Sequence, residues 1–212
     1  MKIALISMQM IEAPNYSELR NAIACDYIRY FEQMGYMIIL VPNGTSHIEK
    51  YFKEVDINLV VLTGGNNIDP LMFGNSKLMS DIYPVRDETE QKMIRLSIKR
   101  NVKLLGICRG FQLINVYFGG KIKPIQKHVA KGHILKSTLD FLDGEDVNSY
   151  HEYGVVKNDL APDLEILAEV NGGIIESYKH KKYKILAIQW HPERQNCNSD
   201  KELIRQFLKD EL

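Results

Sequence analysis

A chain of 212 residues is about 1.4 times a typical domain length, which leaves room for one compact domain with a small lobe and excludes two large ones. With 45% apolar and 25% charged residues it sits at the globular average, so disorder is excluded as the main state. Lys+Arg 27 against Asp+Glu 27 leave a net charge of zero, and no global field draws the chain to nucleic acid or to an anionic membrane surface.

The longest apolar runs, such as residues 37–41 and 59–62, fall far short of the roughly 18 residues a membrane span demands, so a soluble protein is expected. The N-terminus carries one lysine and a short apolar stretch soon interrupted by Gln9. It reads as a first strand over residues 3–7 and not as an export signal. Cys25, Cys108 and Cys197 are odd in number, widely spaced and form no C-x-x-C pair, which fits free thiols in a reducing cytoplasm.

In residues 17–34, Leu19, Ile23, Tyr27, Ile28 and Phe31 recur at helical spacing, which predicts a helix ended by Gly35. Residues 36–41 are a dense apolar run closed by Pro42-Asn43-Gly44, as expected of a strand buried on both faces. Thr45 or Ser46 is placed to cap a short helix through Val55, and residues 57–62 form another buried strand that delivers the chain into Thr63-Gly64-Gly65-Asn66-Asn67. Asp87 with Glu90 three residues on predicts a capped helix running to Arg100. Residues 102–107 form the next strand, which runs directly into Cys108. A further helix, with Phe111, Ile114 and Phe118 on one face, stops at Gly119-Gly120. This alternation predicts a mainly parallel α/β sheet covered by helices on both faces. Residues 121–156 lack clear helical periodicity, while residues 173–178 and 183–189 read as strands joined by a basic turn. The whole chain, residues 1–212, is expected to be a single domain without repeat or linker.

In an open parallel sheet, ligands gather at the carboxyl ends of the strands. Gly106-Ile107-Cys108-Arg109-Gly110 places a thiol between a buried strand and the first turn of a helix, with a glycine on either side to permit a tight elbow. The turn is expected to expose the sulfur, and the positive end of the helix dipole favours its thiolate. A free cysteine is also commonly a small buried hydrophobe, and that reading stays open. A nucleophilic cysteine needs a base, and the base needs an orienting group. His191-Pro192-Glu193 follows a predicted strand. Its proline pushes His191 into an extended conformation, so that His191 and Glu193, two residues apart, can face the same side. A surface turn with a solvated acid explains that tripeptide equally well when it is taken alone. Gly65, in the loop after the strand over 57–62, could present its N–H with that of Arg109 as a two-donor oxyanion hole, although an ordinary turn is the plainer reading of Gly-Gly.

Gly106 to Gln112 together with Trp190-His191-Pro192-Glu193 resembles the class I glutamine amidotransferase superfamily. Gly64 to Pro70, Arg86 to Glu90 and Val147 to His151 are similar to its γ-glutamyl hydrolase branch, including hydrolases of γ-glutamyl-γ-aminobutyrate. The resemblance spans the chain and implies a flavodoxin-like sheet, with Cys108 as nucleophile, His191 as general base and acid, and Glu193 orienting the histidine. It also implies backbone donors from Gly65 and Arg109, and Gln112, Ser149, Tyr150 and His151 as the residues that hold the glutamyl head. After His151 this chain has Glu152-Tyr153, where relatives of the branch often carry His-Gln or a similar polar pair.

The implied reaction hydrolyses a small γ-glutamyl amide to glutamate and an amine through a glutamyl thioester, with no metal or organic cofactor. His128 and His133, five apart without a third ligand nearby, read as ordinary loop residues and not as zinc ligands. The basic segment Tyr178-Lys179-His180-Lys181-Lys182-Tyr183-Lys184 reads as a solvated hairpin. Were it functional, it would suit a phosphorylated or nucleotide-linked leaving group. Neither nucleic acid nor membrane is expected as a partner. The alternative function is a glutaminase subunit delivering ammonia to a separate synthetase, and a catalytically silent binding module is the third reading.

Overall fold

The computed structural model describes residues 1–75, 79–125, 129–194 and 198–212. The chain begins with β1 (Lys2–Ser7), β2 (Gln9–Glu12), β3 (Leu19–Ala22), α1 (Cys25–Gln33), β4 (Tyr36–Val41), α2 (Ile48–Glu54) and β5 (Leu59–Leu62). A single 3-10 turn at Pro70–Phe73 precedes α3 (Pro84–Arg100), β6 (Lys103–Ile107) and α4 (Arg109–Tyr117). The second half is mostly strand: β7 (Lys123–Pro124), β8 (Val129–Ile134), β9 (Lys136–Ser137), β10 (Asp146–Tyr150), β11 (Tyr153–Val156), β12 (Leu164–Val170), β13 (Ile174–His180) and β14 (Ile185–Ile188), closed by α5 (Asn198–Leu208).

β4, β1, β5, β6 and β14 lie side by side, all parallel. The sheet then changes sense, since β13 runs antiparallel to β14, and β11 and β12 run antiparallel to β13. β1, β5, β6 and β14 are buried on both faces, and their alternation sorts the core into two layers. β4 departs from the two-sided burial expected of residues 36–41: it is the edge strand, with one neighbour only, and Met37 is exposed. Leu5, Val60, Leu62 and Leu104 pack with Met93, Ile94, Phe111 and Ile114 of α3 and α4. Ala4, Ile6, Val61, Leu105 and Ile107 pack with Tyr27 and Phe31 of α1 and Leu203, Ile204 and Phe207 of α5. Each fully buried Leu, Ile or Phe contributes on the order of 2 kcal/mol of transfer free energy. A one-residue slip would exchange the two layers, so the period-2 pattern fixes the register.

Three sequence expectations shift. The predicted helix over residues 17–34 begins only at Cys25: residues 19–22 instead pair with β2, from Gln9↔Ala22 to Glu12↔Leu19. Leu19 is 48% exposed, so it lies outside the apolar face that its spacing suggested. Asp87 does not cap its helix. Pro84, which needs no N–H partner at a first helical position, starts α3 three residues earlier, and Asp87 faces inward from the first turn. The residue capping α2 is His47, whose N–H donates to Thr45 Oγ1 at 3.3 Å, so neither Thr45 nor Ser46 occupies the cap position. Among the described residues no helix is long and apolar enough to cross a membrane.

Candidate active site

The carboxyl ends of β1, β5, β6 and β14 meet at one point. Cys108 follows β6 directly at φ 54°, ψ −103°, outside the comfortable backbone regions for a non-glycine residue, and α4 starts at the next position. Close packing imposes the glycines around it. A Cβ on Gly110 would sit 2.3 Å from the carbonyl oxygen of Leu62, and one on Gly106 would sit 2.8 Å from the backbone of Gly110. The expected open sulfur is not found: Cys108 is only 8% exposed, because the residues that build the site also cover it. It still lines a cleft of about 260 Å³ with Gly65, Arg109, Gln112, Tyr150 and His151, so it is not sealed in the core.

His191 is buried beside Cys108, within hydrogen-bonding reach of its side chain, and its Nδ1 is 2.6 Å from Glu193 Oε1. Burial works against charge on the ring, but negative charge at Cys108 and the Glu193 carboxylate outweigh it and push the pKa up to about 9. Asn148, at the centre of β10, grips the histidine backbone from both sides: its Oδ1 accepts from His191 N–H at 2.9 Å and its Nδ2 donates to the His191 carbonyl at 2.8 Å. Trp190, just before, is wholly buried and donates from Nε1 to Asp200 Oδ1 at 2.7 Å, which ties the end of β14 to α5.

On the other side stands the loop 63–66. Gly64 N–H donates to the Tyr27 hydroxyl at 3.0 Å, and a Cβ on Gly64 would lie 2.9 Å from the His191 ring and 3.4 Å from Cys108 Cβ. Burial, and then the nearby Glu193 carboxylate, raise the Tyr27 pKa well above the usual phenol value, so the hydroxyl keeps its proton. Arg86, fully buried, holds the loop from below. Its guanidinium donates to the carbonyls of Thr63 (3.0 Å), Gly64 (2.9 Å) and Gly65 (2.9 Å) and to Asn66 Oδ1 (2.8 Å), and Nε pairs with Glu90 Oε1 at 3.0 Å. Glu90 also accepts from Ser7 Oγ at 2.7 Å and from the Arg109 guanidinium, which bonds Asp87 as well. Burial lowers the Arg86 pKa to about 10, with Glu90 opposing the fall, so the group stays charged at neutral pH. Residues 86–90 are thus neither a cap nor a wall of the cleft. Arg86, Asp87 and Glu90 instead form, with Arg109, a buried ion-pair network that braces the loop and the elbow together.

The residues expected to hold a substrate head divide. Gln112 lines the cleft and donates to the Tyr153 carbonyl at 2.8 Å. His151 is buried with Nδ1 3.0 Å from the same carbonyl. Tyr150 is exposed at the rim, edge-on to His191, with the Arg194 guanidinium 4.8 Å over its ring. Ser149 is fully buried beneath and does not line the cleft. Glu152 and Tyr153, the departure from the family pattern, form part of the wall. Sequence reasoning missed Asn148 as the clamp on His191, Arg109's guanidinium as a structural cation, and the part played by Tyr27. The i, i+4 pairing of Arg86 with Glu90 was the one visible signal of the network.

The basic segment forms the β13–β14 hairpin. Tyr178 is buried with its hydroxyl bonded to the Phe111 carbonyl, and His180 packs against Phe118 and Tyr183, whose partly exposed ring has the Lys182 ammonium 5.4 Å over it. His128 and Cys197 lie outside the described residues; His133 is on β8, and among the described residues no group of three or more His, Cys, Asp or Glu is placed to hold a metal ion. A larger hollow of about 460 Å³ at the opposite end of the sheet, bordered by Lys2, Tyr36, Arg100 and Lys103, carries no nucleophile.

A strand–cysteine–helix elbow on a mostly parallel sheet, facing a histidine–carboxylate pair, defines an α/β protein of the glutamine amidotransferase type. A solved glutamine amidotransferase of Thermotoga maritima superposes with a TM-score of 0.63 at 16% identity, over 100% of this chain and 84% of that one, which shows the shared fold. The Peptidase C26 family matches residues 3–127 and 123–193, and the chain belongs to that family, which holds γ-glutamyl amide hydrolases and glutamine amidotransferase-like proteins. The γ-glutamyl-CDP-amidate hydrolase of Campylobacter jejuni is 30% identical over 204 residues, 96% of each chain. The glutamine amidotransferase-like protein YvdE of Lactococcus lactis is 35% identical over 190 residues, 79% of this chain and 78% of its own.

Proposed function

We propose that this protein hydrolyses the γ-glutamyl amide bond of a small compound, with Cys108 as nucleophile, His191 as general base and acid, and Glu193 orienting the imidazole. The observation that carries the reading is the arrangement of His191, with Nδ1 bonded to Glu193 at 2.6 Å and the ring beside a cysteine held in a strained elbow. The Cys108 sulfur attacks the δ-carbonyl, and the N–H groups of Gly65 and Arg109 receive the oxyanion. The C–N bond breaks as His191 passes its proton to the departing amine, leaving a glutamyl thioester. A water then gives its proton to His191 and its oxygen to the acyl carbon, and the C–S bond breaks to release glutamate and the thiolate.

At about 260 Å³ the cleft lies just below the range of roughly 300–1,000 Å³ usual for ligand pockets, which suits an amino-acid-sized head with the leaving group extending past the rim. Gln112, Tyr150 and His151 surround that head, and Ser149 supports them from beneath. The Campylobacter relative acts, by its name, on a γ-glutamyl group joined to a nucleotide amidate, and this supports a phosphorylated or nucleotide leaving group here. Free thiols at Cys25 and Cys108 support a reducing, cytoplasmic setting.

The test is glutamate release from glutamine and from a panel of γ-glutamyl amides, including one with a phosphoryl-linked amine, by wild type and Cys108→Ser. Turnover of a γ-glutamyl amide by the isolated chain, reduced roughly 10³-fold or more in the variant, is expected. Glutamine hydrolysis that starts only when a synthetase partner is added would move the assignment to a glutaminase subunit, and undiminished release in the variant would remove the thioester.

A further inference from the structure

Behind the cleft lies a carboxyl group that the proposed chemistry does not use. Glu176, in the middle of β13, is fully buried, and neither of its oxygens has a hydrogen-bond partner among the described residues. Among the described residues the cation-forming group within 4 Å of it is His151, whose Nε2 lies 3.6 Å from Glu176 Oε1. Gln189, next to it across the β13–β14 pairing and joined to it through the backbone at 2.8 Å, is also fully buried, and its Nε2 likewise has no partner among the described residues. An unpaired, ionised carboxylate in such a place costs several kcal/mol, and keeping the proton removes most of that cost. Burial, reinforced by negative charge at Cys108, pushes its pKa well above the carboxylate range, which favours the carboxylic acid with an O–H to donate.

The acceptor follows from the valence of His151. Its Nδ1 faces the Tyr153 carbonyl oxygen at 3.0 Å. A carbonyl oxygen only accepts, so Nδ1 carries the hydrogen, and Nε2 of the uncharged ring would then present a lone pair to Glu176. An O–H and a lone pair thus face each other across 3.6 Å, roughly 0.8 Å longer than a hydrogen bond, the kind of gap that closes when a ligand tightens a site. His151 borders the cleft beside Gln112, and both donate to the same Tyr153 carbonyl, so the orientation of this ring sets the shape of the wall that a glutamyl head meets.

We propose that Glu176 is a positioning residue: as the neutral acid it donates its O–H to His151 Nε2, locking the ring in the Nδ1–H tautomer and fixing the cleft wall on which the glutamyl head docks. This rests on the γ-glutamyl hydrolase reading for its kinetic consequence, but not for the tautomer. It also places a carboxyl group beside the nucleophile without adding a second negative charge there.

The test pairs Glu176→Gln, whose amide keeps a donor and an acceptor, with Glu176→Met, which keeps the bulk and loses both. Nitrogen-15 spectra of ring-labelled histidines report the state of His151, and steady-state kinetics use a γ-glutamyl amide that the wild type hydrolyses. Wild type and Glu176→Gln are expected to show His151 protonated at Nδ1 alone, with kcat and KM within about threefold of each other. Glu176→Met is expected to show mixed tautomers and a KM raised about tenfold with kcat nearly unchanged. A His151 protonated at Nε2 in the wild type at neutral pH overturns the proposal, as does a folded Glu176→Met with wild-type KM and tautomer. If Glu176→Met does not fold, the wild-type and Glu176→Gln spectra still decide. Absence of turnover of any γ-glutamyl amide by the wild type counts against the hydrolase and leaves the spectra to decide on Glu176.

Discussion

A histidine held between a sulfur and a carboxylate makes a claim on pH as well as on geometry. Because the folded protein raises the His191 pKa from the usual 6.5 to about 9, the charged ring stabilises the fold fully below about pH 6.5, and that contribution is lost as pH rises through about 9. It is on the order of 3 kcal/mol, so the wild-type melting temperature is expected to fall across that window while that of His191→Gln stays flatter, as a thermal scan at several pH values will show. Asn148 acts on the same ring from outside. Asn148→Ala removes both amide bonds to the His191 backbone, and a kcat reduced roughly 10²-fold with a smaller change in KM is expected in steady-state assays. At this scale the grouping of Cys108, His191 and Glu193 was suggested by a glycine-flanked thiol after a strand and by the family resemblance of Trp190 to Glu193, since His191-Pro192-Glu193 taken alone reads equally well as a surface turn. Asn148, Tyr27 and Glu176 were not, since an asparagine 43 residues from its partner looks like any other polar loop residue until the chain is folded.

Between residue and molecule the telling element is the loop 63–66 with its brace. Five of its backbone or side-chain oxygens take hydrogen bonds from one guanidinium, so Arg86→Met strands several buried acceptors at once and leaves Glu90 with one cation fewer. Breaking such a network costs about 3–5 kcal/mol, which for a chain of this size lowers the melting temperature by roughly 10 °C. Activity is expected to fall further than stability explains at an assay temperature where the variant is fully folded, because the loop carries Gly65. Gly110→Ala attacks the other side of the elbow: its new methyl would meet Leu62 O at 2.3 Å, backbone that cannot swing away, and a loss of several kcal/mol is expected in a denaturant titration. Element identity was readable where burial was two-sided, as in β1, β5 and β6, and in β4 from its dense apolar run although that strand lies at the sheet edge. It failed at residues 19–22, where a hairpin pairing overrode an apolar spacing that local pattern alone could not distinguish from a helix. It also left residues 121–156 unassigned, because β7 and β9 are only two residues long and β7, β9 and β11 are held by strands far along the chain.

Across the whole molecule, the site gathers residues from the ends of strands spread between Ser7 and Gln189, so it exists only when the entire sheet is assembled. The hydrogen bond from Trp190 to Asp200 extends this dependence to the final helix. Asp200→Ala leaves a buried indole N–H without that acceptor, at a cost of about 1–3 kcal/mol, and because Trp190 directly precedes His191, kcat and melting temperature are expected to fall together. The alternation of apolar strands with helices predicted the parallel half of the sheet, and the basic turn between residues 173–178 and 183–189 predicted the hairpin of β13 and β14. The pairings of β11 and β12 with β13 were not foreseen, since these strands acquire their neighbours from strand order and not from composition.

Gly64 packs so tightly against the imidazole and the cysteine Cβ that nothing can approach them from its side. Among the described residues, the cleft beside Cys108 opens between Gly65 and the segment 150–153. In the proposed reaction this sets a queue: the amine must walk out before water can walk in by the same passage, and a bulky amine that lingers there is positioned to reverse the first step. Leaving groups that depart slowly should therefore inhibit deacylation competitively with water, an ordering imposed by one missing side chain.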